Sequence, residues 1–180
     1  LGEHDLAKGG MVLVEAEQAA SIYEAMGPRV EMSGGSVGNT MAGLASLGGT
    51  GSYIGKVHND QLGGIFRHDL ESMGITFSTT PALDGSPTAR CLVVVTSDGQ
   101  RSMATYLGAC VELGPEDIDA ETVGDHRVIY LEGYLWDAPQ AKDAMIKAAK
   151  LAHDRGRQVA LTLSDSFCVD RHRDSFRDLV

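Results

Sequence analysis

Apolar residues recur at helical spacing in four stretches of the chain. In the first of these, Ala19, Ile22, Tyr23 and Met26 follow an i, i+3, i+4, i+7 pattern, and Gly27 and Pro28 then stop it. The longest pattern places its apolar residues on one face and stops at Gly74. The predicted helices cover residues 19–26, 39–47, 60–73 and 137–155.

Strand patterns lie between these helices. The stretch TARCLVVVTSDGQRSMATYLG, residues 88–108, predicts a β-hairpin, because Asp98-Gly99 supplies the positive φ angles that a tight turn favours. RVIYLEG and RQVALTLS, joined by the last predicted helix, predict a right-handed crossover between two parallel strands. We interpret Tyr53 to Val57 as a further strand. Together these elements predict an α/β sheet in the C-terminal half of the chain.

Both ends of the chain look like interior sequence. The first residues, LGEHDLAKGG, have no initiator methionine, and RHRDSFRDLV stops inside what looks like another helix. The two predicted parallel strands also make a small sheet for an α/β domain. We therefore expect a larger protein to supply the missing strands, and we treat residues 1–180 as one partial domain.

Composition narrows the classes of partner. The formal net charge is −10, from 15 basic and 25 acidic side chains, which argues against a nucleic acid or an anionic membrane as partner. No run approaches the roughly 20 apolar residues of a membrane span, and no signal peptide is evident, so we expect a cytoplasmic protein. The 3 cysteines and 6 histidines lack the spacing of a disulfide framework or a metal site.

A Gly-Lys pair in GGTGSYIGKV resembles a phosphate-binding P-loop only superficially. A Walker loop needs glycine five positions before the Gly-Lys pair and Ser or Thr directly after it. Thr50 and Val57 occupy those two places. We reject a P-loop here.

The stretch MSGGSVGNT, residues 32–40, is a stronger candidate for a binding site. Glycines at the start of a helix let a ligand approach exposed backbone N–H groups. The amide of Asn39 offers donors and an acceptor that match the adjacent hydroxyls of a sugar. A simple helix cap would equally account for Asn39, and the local sequence favours neither interpretation.

The segment GGSVGNTMAGLASLGGTGSYIGKVHNDQLGGIFRHDLESMGI, residues 34–75, resembles the N-terminal signature of the PfkB (ribokinase-like) carbohydrate and nucleoside kinases. The motifs PTARC, QRSMATYLGAC, YLEGYLW and LTLSDSFCVD make the adenosine-kinase branch, especially its bacterial members, the closest resemblance. This resemblance implies a ribokinase-like three-layer α/β sheet with a small β lid, incomplete at both ends. The lid elements and glycine motif would occupy roughly residues 1–110, and the start of the sheet core roughly residues 111–180.

The resemblance also implies roles for individual residues. Ribose-contacting residues would be Gly35, Ser36 and Asn39, and lid residues lining the pocket would be Cys91, Thr105 and Leu107. Tyr134 and Phe167 would hold the base between aromatic faces, and Arg101 would approach the phosphate. Without the resemblance, the sequence is also consistent with Tyr134 and Phe167 as core aromatics and with Arg101 as a solvated turn residue.

The implied activity is phosphorylation of a nucleoside such as adenosine at its 5′-hydroxyl by a parent protein that uses ATP and Mg²⁺. Family members also carry an upstream Asp that binds the sugar and the motifs Asn-x-x-Glu and Gly-Ala-Gly-Asp, whose last Asp is the general base. These features do not occur in this sequence. We expect the chain alone to be inactive. Alternatives are a sugar kinase of the same family and a non-catalytic nucleoside-binding fragment; the sequence does not predict the oligomeric state.

Overall fold

The computed structural model describes residues 6–179, which form two β-sheets and six α-helices. The strands are β1 (Met11–Leu13), β2 (Arg90–Val95), β3 (Arg101–Tyr106), β4 (Val128–Glu132) and β5 (Gln158–Thr162). The helices are α1 (Ala16–Ala25), α2 (Ser36–Ser46), α3 (Gln61–Ser72), α4 (Ala120–Asp125), α5 (Pro139–Asp154) and α6 (Ser166–Leu179). The four helices predicted from apolar spacing are confirmed, and α6 confirms the helix at the C-terminal end.

The first sheet has the strand order β1-β3-β2, and we call it the lid sheet. The predicted β2–β3 hairpin is confirmed, and Gly99 adopts a φ of 80° in its turn. Helix α1 packs on one face of this sheet, where Ala19 and Ile22 join Leu92 and Ala104 in a buried cluster. Strand β1 was not predicted, because three residues are too few to show a periodic pattern and its partner lies about 90 residues away in the sequence.

The second sheet pairs β4 with β5 in parallel, as predicted, and α5 connects the two strands. Helix α5 buries Ala144, Met145 and Ala148 in the main hydrophobic cluster, together with Trp136 and Phe176. One face of each strand points into this cluster, so the alternation of apolar residues along β4 and β5 fixes their register. This arrangement brings the carboxyl ends of both strands to the same edge of the sheet.

The predicted strand from Tyr53 to Val57 is wrong. This segment makes only isolated parallel bridges, from Ser52 to Thr76 and from His58 to Ala82. Between the two bridges, the guanidinium of Arg67 donates hydrogen bonds to the carbonyls of Phe77 and Thr79. These carbonyls therefore accept hydrogen bonds from a side chain and do not extend a backbone ladder.

Aromatic packing holds this irregular segment in place. The rings of Tyr53, Phe66 and Phe77 meet edge to face with centroids 5.2–5.7 Å apart. Such edge-to-face contacts are favourable because the positive ring edge meets the negative ring face. The cluster joins α3 to the bridged segments and forms a third core, separate from the lid cluster and the main cluster.

Candidate functional site

The carboxyl edge of the β4–β5 sheet collects several of the predicted binding residues. Strand β4 ends at Glu132 and continues into a 3₁₀ turn, Gly133–Asp137, which carries Tyr134. Strand β5 ends at Thr162, and Phe167 lies in the first turn of α6, which follows. Ligands of open α/β sheets bind outside the carboxyl ends of the strands. The topology therefore places both predicted base-binding residues at the usual position for a ligand.

The N-terminus of α2 reaches the same edge. The hydroxyl of Ser36 donates a hydrogen bond to the carboxylate of Glu132, across 96 residues of sequence. Gly35 precedes Ser36 as the N-cap residue with a φ of 80°, a conformation that favours glycine. Open space lies around Gly35, since a Cβ added there would meet nothing within 4 Å. The backbone of the predicted glycine motif is therefore accessible and lies beside Glu132.

The structure excludes one of the two interpretations of Asn39. Helix α2 starts at Ser36, three residues earlier than predicted, so Asn39 lies one turn inside the helix. Its backbone N–H already donates to the carbonyl of Gly35 at 2.8 Å. The interpretation of Asn39 as the helix cap is therefore wrong. Its exposed side-chain amide remains available to a ligand.

Tyr134 and Phe167 are surface residues. Tyr134 is 46% exposed and Phe167 is 72% exposed, whereas the aromatic residues of the adjacent core, Trp136 and Phe176, are 2% and 4% exposed. The interpretation of Tyr134 and Phe167 as core aromatics is wrong. Large apolar rings left on a surface are typical of a binding site.

Asp165 lies directly before α6, in the segment between β5 and Phe167. It accepts a hydrogen bond from the backbone N–H of Cys168 at 2.8 Å, which caps α6. Its carboxylate also lies close enough to Tyr134 to act on the phenol electrostatically. Burial raises the pKa of Tyr134, and the negative charges of Asp165 and Glu132 raise it further, so the phenol stays protonated at neutral pH. Asp165 thus combines a cap on the helix that carries Phe167 with a negative charge near Tyr134.

Sequence reasoning missed Glu132 and Asp165. Both follow the predicted strands closely: Glu132 is the last residue of β4, and Asp165 lies three residues beyond β5. The rule that ligands gather at the carboxyl ends of parallel strands would have selected both residues. The contact of Glu132 with Ser36 was not predictable, because apolar spacing does not reveal pairing between distant polar residues.

The predicted lid residues lie together at one end of the hairpin. Cys91 and Thr105 are directly opposite each other in the β2–β3 ladder, and the hydroxyl of Thr105 donates to the sulfur of Cys91 at 3.3 Å. Leu107 directly follows β3 and is 38% exposed. Cys91 is also exposed, on the face of the sheet opposite α1.

Arg101 lies away from this group. It is the first residue of β3 and pairs with Val95 at the turn end of the hairpin. Thr105 lies four positions further along the strand, or about 13 Å away. Its exposed position is the one that a solvated turn residue would take. A contact with phosphate stays a prediction.

Two partly buried groups, Tyr53 and Cys110, lie near the site. Burial raises the pKa of Tyr53, and Cys110 and Glu132 raise it further. Burial and the charge of Glu112 raise the pKa of the Cys110 thiol to about 11. Cys110 is therefore an uncharged thiol at neutral pH, unsuited to act as a nucleophile.

Cavities of the described residues lie elsewhere. A cavity of about 490 Å³ is lined by Glu71 and residues 74–78, and one of about 280 Å³ lies between Leu163 and α6. The predicted site residues line neither cavity. Within residues 6–179 no helix is both long and apolar enough to cross a membrane.

Residues 15–180 match the model of the pfkB family carbohydrate kinases. The chain belongs to this family. Over 99% of its length it superposes on an adenosine kinase from Sinorhizobium meliloti with a TM-score of 0.89 and 56% identity. A probable sugar kinase from Rhizobium etli gives the same TM-score, 0.89, with 54% identity. These superpositions cover 55% and 54% of the two neighbours.

Curated relatives also match this chain, at lower sequence identity. An ATP-dependent ribose-1-phosphate kinase from Halopiger xanaduensis is 30% identical over 149 residues, which is 82% of this chain and 49% of that protein. The chain spans about half the length of the curated relatives it matches. The PfkB resemblance and the ribokinase-like α/β fold predicted from the sequence are confirmed.

Proposed function

We propose that the protein of full family length that carries this sequence, called the full-length protein below, phosphorylates adenosine or a related nucleoside at the 5′-hydroxyl. One observation carries this proposal: Tyr134 and Phe167 leave two exposed aromatic rings at the sheet edge where Ser36 meets Glu132. A nucleoside has one flat apolar end and one hydroxyl-rich end, and this edge offers surfaces of both kinds.

The sugar end of the site is polar. The carboxylate of Glu132 is an acceptor for ribose hydroxyls, and a hydrogen bond to a charged acceptor is about twice as strong as a neutral one. Asn39 adds two donors and one carbonyl acceptor. Gly35 leaves room for the sugar to lie against the backbone at the start of α2. These groups bind and orient the ribose so that its 5′-hydroxyl faces the phosphate donor.

The base end of the site is aromatic. Each ring that stacks on a purine contributes about 1 kcal/mol beyond the area it buries. Cys91, Thr105 and Leu107 lie on the lid sheet, and we assign them to the surface that closes over the nucleoside and excludes water.

ATP with Mg²⁺ supplies the transferred phosphoryl group when it is bound. Within residues 6–179, no group of three or more His, Cys, Asp or Glu side chains could hold a metal ion. We assign most of the ATP and metal site to the part of the full-length protein beyond this sequence. The role that we propose for this chain is to bind and orient the nucleoside.

A sugar kinase is the second candidate function. The polar group around Ser36 and Glu132 would also suit a free sugar, and the Rhizobium etli neighbour is described as a probable sugar kinase. A free sugar gains little from aromatic rings in the position of Tyr134 and Phe167. The dependence of binding on those rings therefore separates the two candidates.

This chain alone is expected to transfer no phosphate from ATP to adenosine. The reason is that Gly-Ala-Gly-Asp, with the general base and the anion hole that the family resemblance assigns to it, does not occur in the sequence. Formation of AMP from labelled ATP and adenosine measures the reaction, with the full-length protein as positive control. AMP formation above background by the purified chain, freed of contaminating kinases, would show that the catalytic groups are assigned wrongly.

A further inference from the structure

The lid sheet has its own hydrophobic core. Its buried residues cluster with α1 and are separate from the main cluster and from the cluster around Phe77. Buried apolar contacts therefore hold the lid together internally but do not fix it to the rest of the protein. Its hairpin is connected to the rest of the protein by the segments that enter β2 and leave β3, and residues 26–35 connect α1 to α2.

The segment entering β2 is held by a carboxylate. Asp60 accepts hydrogen bonds from the backbone N–H of Thr88 at 2.9 Å and from its hydroxyl at 2.7 Å. The same carboxylate accepts from the N–H of Gly63 at 2.8 Å and so caps α3. Thr88 is 5% exposed and lies two residues before β2. One side chain thus joins the start of a helix to the base of the lid.

The charge of Asp60 strengthens this connection. Burial alone would raise the pKa of Asp60, but the hydrogen bonds from Thr88 and Gly63 and the nearby His58 outweigh it and lower the pKa. The carboxylate is therefore ionised at neutral pH, and its hydrogen bonds are charge-assisted. The backbone N–H of His58 also donates to the hydroxyl of Thr88 at 3.0 Å, so this hydroxyl is bonded on both sides.

The segment leaving β3 is fixed at the same place. The backbone N–H of Ala109 donates to the carbonyl of Pro87 at 2.9 Å. Gly108 adopts a φ of 49°, and a Cβ there would lie 2.2 Å from that carbonyl. The two segments cross so closely that only glycine fits at position 108. Both connections of the hairpin therefore meet beside Asp60.

We propose that Asp60 and Thr88 form the fixed pivot about which the lid sheet closes. Asp60 acts as a positioning residue, because it reaches the nucleoside only through Thr88 and the strand that carries Cys91. This inference rests on the proposed function in one respect: the lid is taken to close over a nucleoside. The pivot itself is a property of the chain without ligand and is measured separately.

Hydrogen exchange of the full-length protein without ligand tests the pivot. In Asp60→Asn, one oxygen remains to cap α3 but cannot accept from all three donors, and Thr88→Val removes the hydroxyl. Both variants are expected to accelerate exchange of the β2 and β3 amides about ten-fold, the effect of a lost charge-assisted hydrogen bond, with less than about two-fold change in β4 and β5. Thr88→Ser is expected to restore the wild-type rates.

Asp119→Asn is the matched control, because Asp119 caps α4 and bonds only Thr122 of that helix. The pivot is wrong if the lid amides of Asp60→Asn and Thr88→Val keep wild-type rates, if β4 and β5 accelerate equally, or if Asp119→Asn has the same effect on the lid. In the wild-type protein, adenosine should slow exchange in the lid. If it does not, the proposed function fails, while the ligand-free comparison still decides the pivot.

Discussion

Replacing both Tyr134 and Phe167 by alanine is expected to weaken adenosine binding by the full-length protein about 100-fold, or about 2.7 kcal/mol. Each ring contributes about ten-fold, because it loses a stacking contact and the apolar area that the base would cover. Within the described residues the two rings are exposed and lie outside the hydrophobic clusters, so their removal leaves no cavity there. Isothermal titration with adenosine measures the affinity, and thermal unfolding confirms that the variant is folded.

Tyr134→Phe is the matched control for this prediction. It keeps the ring and removes only the hydroxyl, so it should lose no more than about five-fold in affinity. Ribose affinity should be the same in all variants, since ribose has no base to stack. An alanine double variant that binds adenosine as tightly as wild type would remove the observation on which the nucleoside proposal depends.

Alanine at position 63 is expected to destabilise the protein by about 3 kcal/mol, whereas alanine at the next position is expected to stabilise it by about 0.5–1 kcal/mol. A Cβ on residue 63 would lie 2.1 Å from the carbonyl oxygen of His58 and 3.1 Å from the hydroxyl of Thr88. A Cβ on Gly64 would meet nothing within 4 Å. Both glycines lie in α3, so their helix propensity is matched and only the packing differs.

Urea unfolding of Gly63→Ala, Gly64→Ala and the wild type measures this difference in one series. The expected order of unfolding midpoints places Gly64→Ala highest and Gly63→Ala lowest. Equal midpoints for the two variants would mean that α3 and the His58 segment are not packed as closely as described. The described packing is also what brings Asp60 to Thr88, so this series tests the surroundings of the pivot as well.

Elements with many repeats of a local pattern were predictable from the sequence. Helix α3 was predicted because its apolar residues share one face and Asp60 and Gly74 bound it. The β2–β3 hairpin was predicted because Asp98-Gly99 determines a turn locally. The parallel pairing of β4 with β5 followed from a strand–helix–strand order that has few topological solutions.

Features that depend on distant partners were not predictable. The Tyr53 segment has a strand-like sequence, but Arg67 binds the carbonyls that a strand pairing would use. Strand β1 gains its structure from β3, about 90 residues further on. The start of α2 was misplaced because Gly35, with its positive φ, caps the helix without any side chain. Here tertiary contacts, rather than local propensity, decide the outcome.

The candidate site was likewise predictable from the sequence only in part. The family resemblance selected Gly35, Ser36, Tyr134 and Phe167, and the structure gathers them at one sheet edge. The resemblance did not select Glu132, although it is the residue that brings α2 to that edge. The assigned roles of these residues are predictions that the variants above address.

The most direct test of the nucleoside proposal is the acceptor preference of the full-length protein in the presence of ATP and Mg²⁺. We expect kcat/KM for adenosine to exceed that for ribose at least about 100-fold, because only adenosine gains the contacts of both aromatic rings. Product analysis should show AMP. A protein that phosphorylates ribose or another free sugar as efficiently as adenosine would contradict the nucleoside proposal.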